Sequence, residues 1–460
     1  MSSSRDSPEV HHSGQPGNTS TTAGLPDEIL CDIFKRVLQM SRRDVPFEES
    51  IGYPWLVDSD YPKDVPPEES MLAPLRLSQV CRLWRSLALS FPSLWTEITV
   101  LIYKFDSARR DEWFSDAVDT WIERSRISPL SLRVECDTSC LTERGYLHNE
   151  VDYEASDDPG PKLEITAHIL EKLLDHQNRW RDASFTFIGP DPKILPQLGL
   201  VDAPLLESLY IYWGGFTQRH DMTQIDLDIS CSPRLSNLHV RSIPRVITGG
   251  VSSLRELTLD SWEAPVSRDF DIQQSVLLEI IQDMPNLEVL DIGALHCISD
   301  SGIYNSRITL PKLHTLAVQG DDYSTSIVSQ LILPGLKRLT WKHCLQDGDV
   351  NVYSDMLGRS RASLEYFEFR WTAVVESVFA PFLRLIPSLK TICMEYVALT
   401  YDLFEMLSVK ESGESRDASS IICPNLEELI IVNNHHKIIM ERVSIGPEYA
   451  MAELVNFDFE

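Results

Sequence analysis

Nine times between residues 204 and 424 the chain repeats one phrase: a proline or small residue, an apolar residue at +2, another at +5 and a third at +7. The copies read PLLESLYI from Pro204, PRLSNLHV from Pro233, SSLRELTL from Ser252, PNLEVLDI from Pro285 and PKLHTLAV from Pro311. PGLKRLTW from Pro334, ASLEYFEF from Ala362, PSLKTICM from Pro387 and PNLEELII from Pro424 complete the set. Steps vary from 19 to 37 residues, yet the +2/+5/+7 phase never slips. Alternation at +5 and +7 is the period of a strand that buries one face. Nine independent strands of a conventional α/β sheet have no reason to keep such a phase, whereas stacked copies of one unit do.

The mean step, about 27 residues, falls in the range of leucine-rich repeats. The sequence therefore predicts an α/β fold in which an irregular leucine-rich-repeat solenoid, a horseshoe-like arc, occupies residues 96–434. Helical stretches separate the strands, among them Gln274 to Asp283 and Val374 to Leu385. Upstream, TWIERS (Thr120 to Ser125) ends a helix, and PLSLRV (Pro129 to Val134) and RWRDASFTF (Arg179 to Phe187) read as further strands. Three positions after the last apolar one, only Cys344 and Asn434 carry the residue types usual in such repeats, which predicts an uneven arc. Side chains at +6 and +8 alternate with the buried ones and point to the concave face. They are Tyr210, Tyr212, His239, Arg241, Thr258, Asp260, Asp291, Gln319, Lys342, Glu368, Arg370, Cys393 and Glu395. Both charges mixed with aromatics suit an unidentified protein substrate; Tyr210, Tyr212, His239, Arg241, Asp260, Lys342, Glu368 and Arg370 are the candidate contacts.

The formal charge of −28 argues against a nucleic-acid partner, since phosphate binding requires excess Lys and Arg. Half of that charge sits in Asp44 to Glu69 and Glu135 to Asp158, each carrying a net −7. Both runs read as solvated insertions, at 41–71 and near 135–160. Residues 1–23, rich in Ser, Thr, Gly and Pro, read as a disordered tail, and 435–460 as a C-terminal cap. Nine cysteines with no CxxC, no apolar signal segment and no run of about 20 apolar residues predict a reduced intracellular protein, in cytoplasm or nucleus, without a membrane partner.

Within this acidic chain, LRLSQVCRLWRSLALSFPSLW (Leu75 to Trp95) contains three arginines and no carboxylate. Leu77, Val80, Cys81, Trp84, Leu87 and Ala88 form one apolar stripe if the segment is a single helix after Pro74, closed by Phe91-Pro92. LPDEILCDIFKRVLQ (Leu25 to Gln39) is a second amphipathic helix, with Ile29, Leu30, Ile33, Phe34, Val37 and Leu38 along its apolar side. Two such helices bury too little to stand alone and need the rest of the chain or a partner. Leu25-Pro26-x-Glu28-Ile29-Leu30-x-x-Ile33-Phe34 followed by Val80-Cys81-Arg82-x-Trp84 resembles the F-box, the helical module of Skp–cullin–F-box ubiquitin ligases. ALSFPSLW is similar to the tail that follows it in the large F-box families of mushroom-forming fungi. The resemblance covers residues 24–95, interrupted by the insertion. It implies that Leu25, Pro26, Ile29, Leu30, Ile33, Phe34, Leu77, Val80, Cys81 and Trp84 bind the Skp adaptor, and through it a cullin.

No GxSxG, HExxH, P-loop or GxGxxG motif occurs, and no cofactor is expected. His296-Cys297, His343-Cys344, His435-His436, and Cys136 and Cys140 with His148, supply too few ligands at zinc-like spacing. The expected role is a substrate receptor without a catalytic site of its own. The alternative is an interaction scaffold in which the F-box-like helices merely cap the repeats.

Overall fold

The computed structural model describes residues 26–41, 69–103, 108–137, 160–188, 199–214, 226–241, 245–247, 252–260, 272–293, 297–298, 307–319, 322–342, 347–370, 376–395, 422–433 and 436–441. The chain divides into two compact units, Met1–Trp95 and Thr96–Glu460.

The second unit is mixed α/β, built on one sheet whose strands lie side by side in chain order, without reversal. Twelve are parallel: β1 (Glu97–Tyr103), β2 (Leu130–Asp137), β3 (Trp180–Ile188), β4 (Ser208–Gly214), β5 (Asn237–Arg241), β6 (Glu256–Asp260), β7 (Val289–Ile292), β8 (Thr315–Gln319), β9 (Arg338–Lys342), β10 (Tyr366–Arg370), β11 (Thr391–Glu395) and β12 (Glu428–Asn433). A thirteenth, β13 (His436–Glu441), pairs antiparallel to β12. The repeat phase dictates this register. Leu209, Leu238, Leu257, Leu290, Leu316, Leu339, Phe367, Ile392 and Leu429, all at +5, stand opposite one another in sequence. Ala183, Leu132 and Ile98 carry the row back to β1. Every +2, +5 and +7 side chain of the nine copies is at most 4% exposed, so these rows are the core.

Proline at the start of a copy has a local cause. In seven copies the +2 amide donates to the carbonyl at −1, closing a tight turn with position 0 second in it; all seven hold Pro there, where no donor is needed. The −1 side chains, Ala203, Ser232, Met284, Leu310, Leu333, Ile386 and Cys423, are buried, a fourth core position that the phase as first read omits. Each +3 carbonyl then accepts from the +3 and +4 amides of the next copy, as Glu288 does from His314 and Thr315. This close stacking leaves no room for a Cβ at Gly335, where one would lie 2.7 Å from the Pro311 carbonyl oxygen.

Helices α4 (Ala108–Ser125), α5 (Gly160–Leu174), α6 (Gln274–Gln282), α7 (Asp322–Gln330), α8 (Asp347–Ser360) and α9 (Glu376–Arg384) run between strands. They cover the +5/+7 side. Trp341 of β9 meets Tyr353 of α8 at 4.7 Å and Phe382 of α9 at 4.8 Å, and Phe367 and Phe369 of β10 meet Phe379 of α9. The acidic insertion near 135–160 begins late and ends early, because β2 runs to Asp137 and α5 starts at Gly160; 138–159 lie outside the described residues.

The first unit holds α1 (Asp27–Ser41), α2 (Glu69–Val80) and α3 (Arg82–Ser90), then a 3₁₀ turn at Pro92–Leu94. The single helix expected over Leu75 to Ser90 is in fact two. The backbone extends at Cys81 (φ −156°, ψ 173°), whose Sγ accepts from the Trp84 amide as the N-cap of α3. Helix α2 also begins at Glu69, inside the stretch read as the 41–71 insertion, and Pro74 lies within it. Residues 42–68 and the 1–23 tail fall outside the described residues. Leu30, Phe34, Leu77, Leu87 and Ala88 are buried, Trp84 lies 4.7 Å from Phe34, and the Trp95 indole donates to the Ala88 carbonyl at 2.7 Å.

Candidate functional site

Two surfaces carry the residues that the sequence singles out. On the first unit, α1 starts with the Pro26 carbonyl accepting from the Ile29 and Leu30 amides. Asp27 and Glu28 in its first turn face the positive end of the helix. Leu30, Phe34 and Leu77 point inward and are buried, so they stand apart from the exposed residues of the stripe read from the sequence. Pro26 and Cys81 are exposed, as are Ile29 (46%), Ile33 (38%) and Val80 (61%); Trp84 is half-buried. Leu25 lies outside the described residues. Two apolar side chains that the sequence reading missed, Leu83 (42%) and Leu89 (41%), are also exposed. Within α3 the inward face is formed by Trp84, Leu87 and Ala88, and Leu83 and Leu89 lie off it. Among the described residues, eight large apolar side chains are exposed, and five belong to this small unit. The others, Ile127, Val201 and Leu385, are scattered over the second.

The second surface is the sheet face opposite the core. Register brings the +6 side chains Ser184, Tyr210, His239, Thr258, Asp291, Ala317, Thr340, Glu368 and Cys393 into one row across β3 to β11. The sequence predicts this common face, but not its burial. Tyr210, Tyr212, Gln319, Glu368 and Cys393 are all buried, whereas His239, Arg241, Thr258, Asp291, Lys342, Arg370 and Glu395 are partly exposed. Asp260 is in β6, but its side chain lies outside the description.

Neighbours on this face serve one another. Tyr210 and His239 rings sit 4.6 Å apart, and the Arg241 guanidinium lies over Tyr212 at 5.4 Å. Lys342 reaches past β8, where Ala317 is small, to hold both Asp291 oxygens at 2.9 and 2.6 Å. Arg370 Nε stands between Glu368 (2.7 Å) and Glu395 (2.9 Å). The Tyr366 and Thr340 hydroxyls donate to the second Glu368 oxygen at 3.2 and 3.4 Å. Burial, and then the Glu368 charge, push the Cys393 thiol up to about 11 and raise the Tyr366 phenol. Burial raises the Glu395 carboxyl against the pull of Arg370. A thiol so protonated is a poor nucleophile. The arrangement is a mosaic of polar and charged side chains that pair with one another.

Among the described residues no three His, Cys, Asp or Glu side chains are grouped to hold a metal ion. His296, His343, Cys344, Cys140, His148, Asn434 and His435 lie outside them, and so do the other positions three after the last apolar one, apart from Gly214 at the end of β4. No helix among the described residues is long and apolar enough to cross a membrane. No protein-family model matches the chain, and no curated protein matches it.

Proposed function

We propose that this chain is the substrate-recognition subunit of a Skp–cullin–F-box ubiquitin ligase. The helical unit, an F-box, docks the Skp adaptor, and the repeats, a leucine-rich-repeat solenoid, hold a protein substrate on the +6/+8 face. Ubiquitin transfer then depends on proximity to other subunits. The observation that carries the reading is the concentration of exposed apolar side chains, Ile29, Ile33, Val80, Leu83 and Leu89, on the smaller unit. A terminal cap on a repeat array presents a polar outer face instead, which weighs against a purely capping role for these helices.

The test is capture of a purified Skp adaptor by the full chain and by its Ile33→Asp and Val80→Asp variants, with helical content checked by circular dichroism. Both side chains are exposed, so the variants fold. Each is expected to weaken capture about 30-fold, the effect of losing a central apolar anchor. Unchanged capture by both variants, or no capture by the wild type, would overturn the assignment.

A further inference from the structure

On the +6/+8 face, β8 lies beneath an ion pair in which it takes no part. Lys342 of β9 crosses it to reach Asp291 of β7, with Nζ 2.9 and 2.6 Å from the two carboxylate oxygens. The crossing runs from a +8 position to a +6 position two strands away, so the lysine stem passes diagonally over β8 between Ala317 and Gln319. Both are only 9% exposed. Ala317 loses nothing by being covered, but Gln319 does. Its amide holds two donors and an acceptor, and its side chain has no hydrogen-bond partner among the described residues. A buried amide left unbonded is costly, and nothing within the fold repays it.

The strap above Gln319 is weakly held. The Lys342 and Asp291 side chains are 23% and 24% exposed, and pairs open to water contribute little. A flexible four-carbon stem can also swing aside. Once it does, the charged positions on this face of β7 to β11 are Asp291, Glu368 and Glu395 against Arg338 and Arg370. Arg370 is already shared by Glu368 and Glu395 at 2.7 and 2.9 Å, and Arg338 lies over the Tyr366 ring at 3.9 Å. The seat beside Asp291 is thereby left to a cation, and an alkylammonium is what occupies it here.

We infer that Asp291 and Gln319 form a subsite for a lysine or arginine of an extended substrate segment, and that Lys342 is a built-in stand-in displaced when the substrate binds. The incoming cation takes over the Asp291 carboxylate. A peptide group of the same segment pairs with the Gln319 amide, which donates and accepts at once. This rests on the +6/+8 face being the substrate surface, and adds the substrate's chemistry and an internal competitor for it.

A display library of random dodecapeptides is panned on the full chain, and the best retained peptide is titrated by calorimetry against wild type and three variants. Retained peptides are expected to be rich in Lys and Arg. Lys342→Met keeps the bulk of the stem but removes the competing charge, and should tighten binding about threefold to fivefold. Asp291→Asn should weaken it about tenfold and Gln319→Ala about threefold. All three positions lie on the face away from the core, so urea midpoints should stay near the wild-type value. Weaker binding to Lys342→Met, or retained peptides rich in Asp and Glu, would make Lys342 itself the contact and overturn the inference. Full affinity in Asp291→Asn, or no peptide retained by the wild type, would overturn it too. Failure to capture the Skp adaptor, with basic peptides still bound, would remove the ligase reading and leave this subsite standing.

Discussion

Glu395 carries a carboxyl whose ionisation its surroundings oppose. Burial raises its pKa and the Glu368 charge adds to this, while Arg370 works the other way. With the folded value above the unfolded one, protonation favours the fold. That stabilisation is complete below the unfolded carboxylate range and is lost as pH rises through the folded value. Glu395→Gln removes the ionisation and leaves Arg370 its bond to Glu368. The variant should therefore unfold no earlier than wild type at pH 7, and its advantage should vanish as pH falls towards about 4. Urea titrations across that range would show it; a variant less stable at pH 7 would mean that the attraction of Arg370 outweighs burial. Which face Glu395 occupies follows from strand parity alone. Its partial burial, and the full burial of Tyr210, Tyr212 and Glu368, were not legible, because exposure depends on how large the neighbours in the same row are, not on the local pattern.

At the scale of elements, strands were read better than helices. A strand of five residues with two fixed apolar positions admits one register against its neighbours, since a one-residue slip would expose the whole set. The +3 row reinforces it with alternating charge: Arg255 pairs with Glu288 at 2.8 Å, and Glu365 with both Lys337 and Lys390 at 3.7 and 2.9 Å. Such exposed pairs contribute little stability but disfavour the wrong neighbour. Helix ends were harder to read. The apolar spacing of Leu77 to Ala88 fits a continuous helix, and nothing in it marks the break at Cys81. The −1 position hides a similar device: Arg126, Arg361 and Cys423 adopt left-handed backbone, with φ near 50°. Arg126 and Arg361 follow α4 and α8 directly, where glycine is the usual residue. Arg361 is exposed, and Arg361→Gly should raise stability by about 0.5–1 kcal/mol, read as a shift of the urea midpoint. Cys423→Gly should not, because that side chain is buried.

Over the whole second unit, the apolar rows cross all twelve parallel strands, yet each strand bonds only to the next in line. Damage should then spread locally. Leu290→Ala, in the fully buried +5 row of β7, is expected to cost about 2–5 kcal/mol through the cavity it leaves. Hydrogen exchange should report the greatest loss of protection in β6, β7 and β8, fading towards β1 and β12. Equal loss in every strand would mean that the sheet unfolds as one body.

The reversed strand β13 has a consequence for growth. A row of parallel copies has no intrinsic length; its last strand is a template for another, whether from the same chain or from a second molecule. By running antiparallel to β12, from Asn433 opposite His436 to Glu428 opposite Glu441, β13 presents the next arrival with a pairing pattern that no copy of the repeat matches. The number of repeats is thereby closed at one end. Duplication could lengthen this protein from within its array, but a further copy could not be appended beyond that strand in the parallel order of the others.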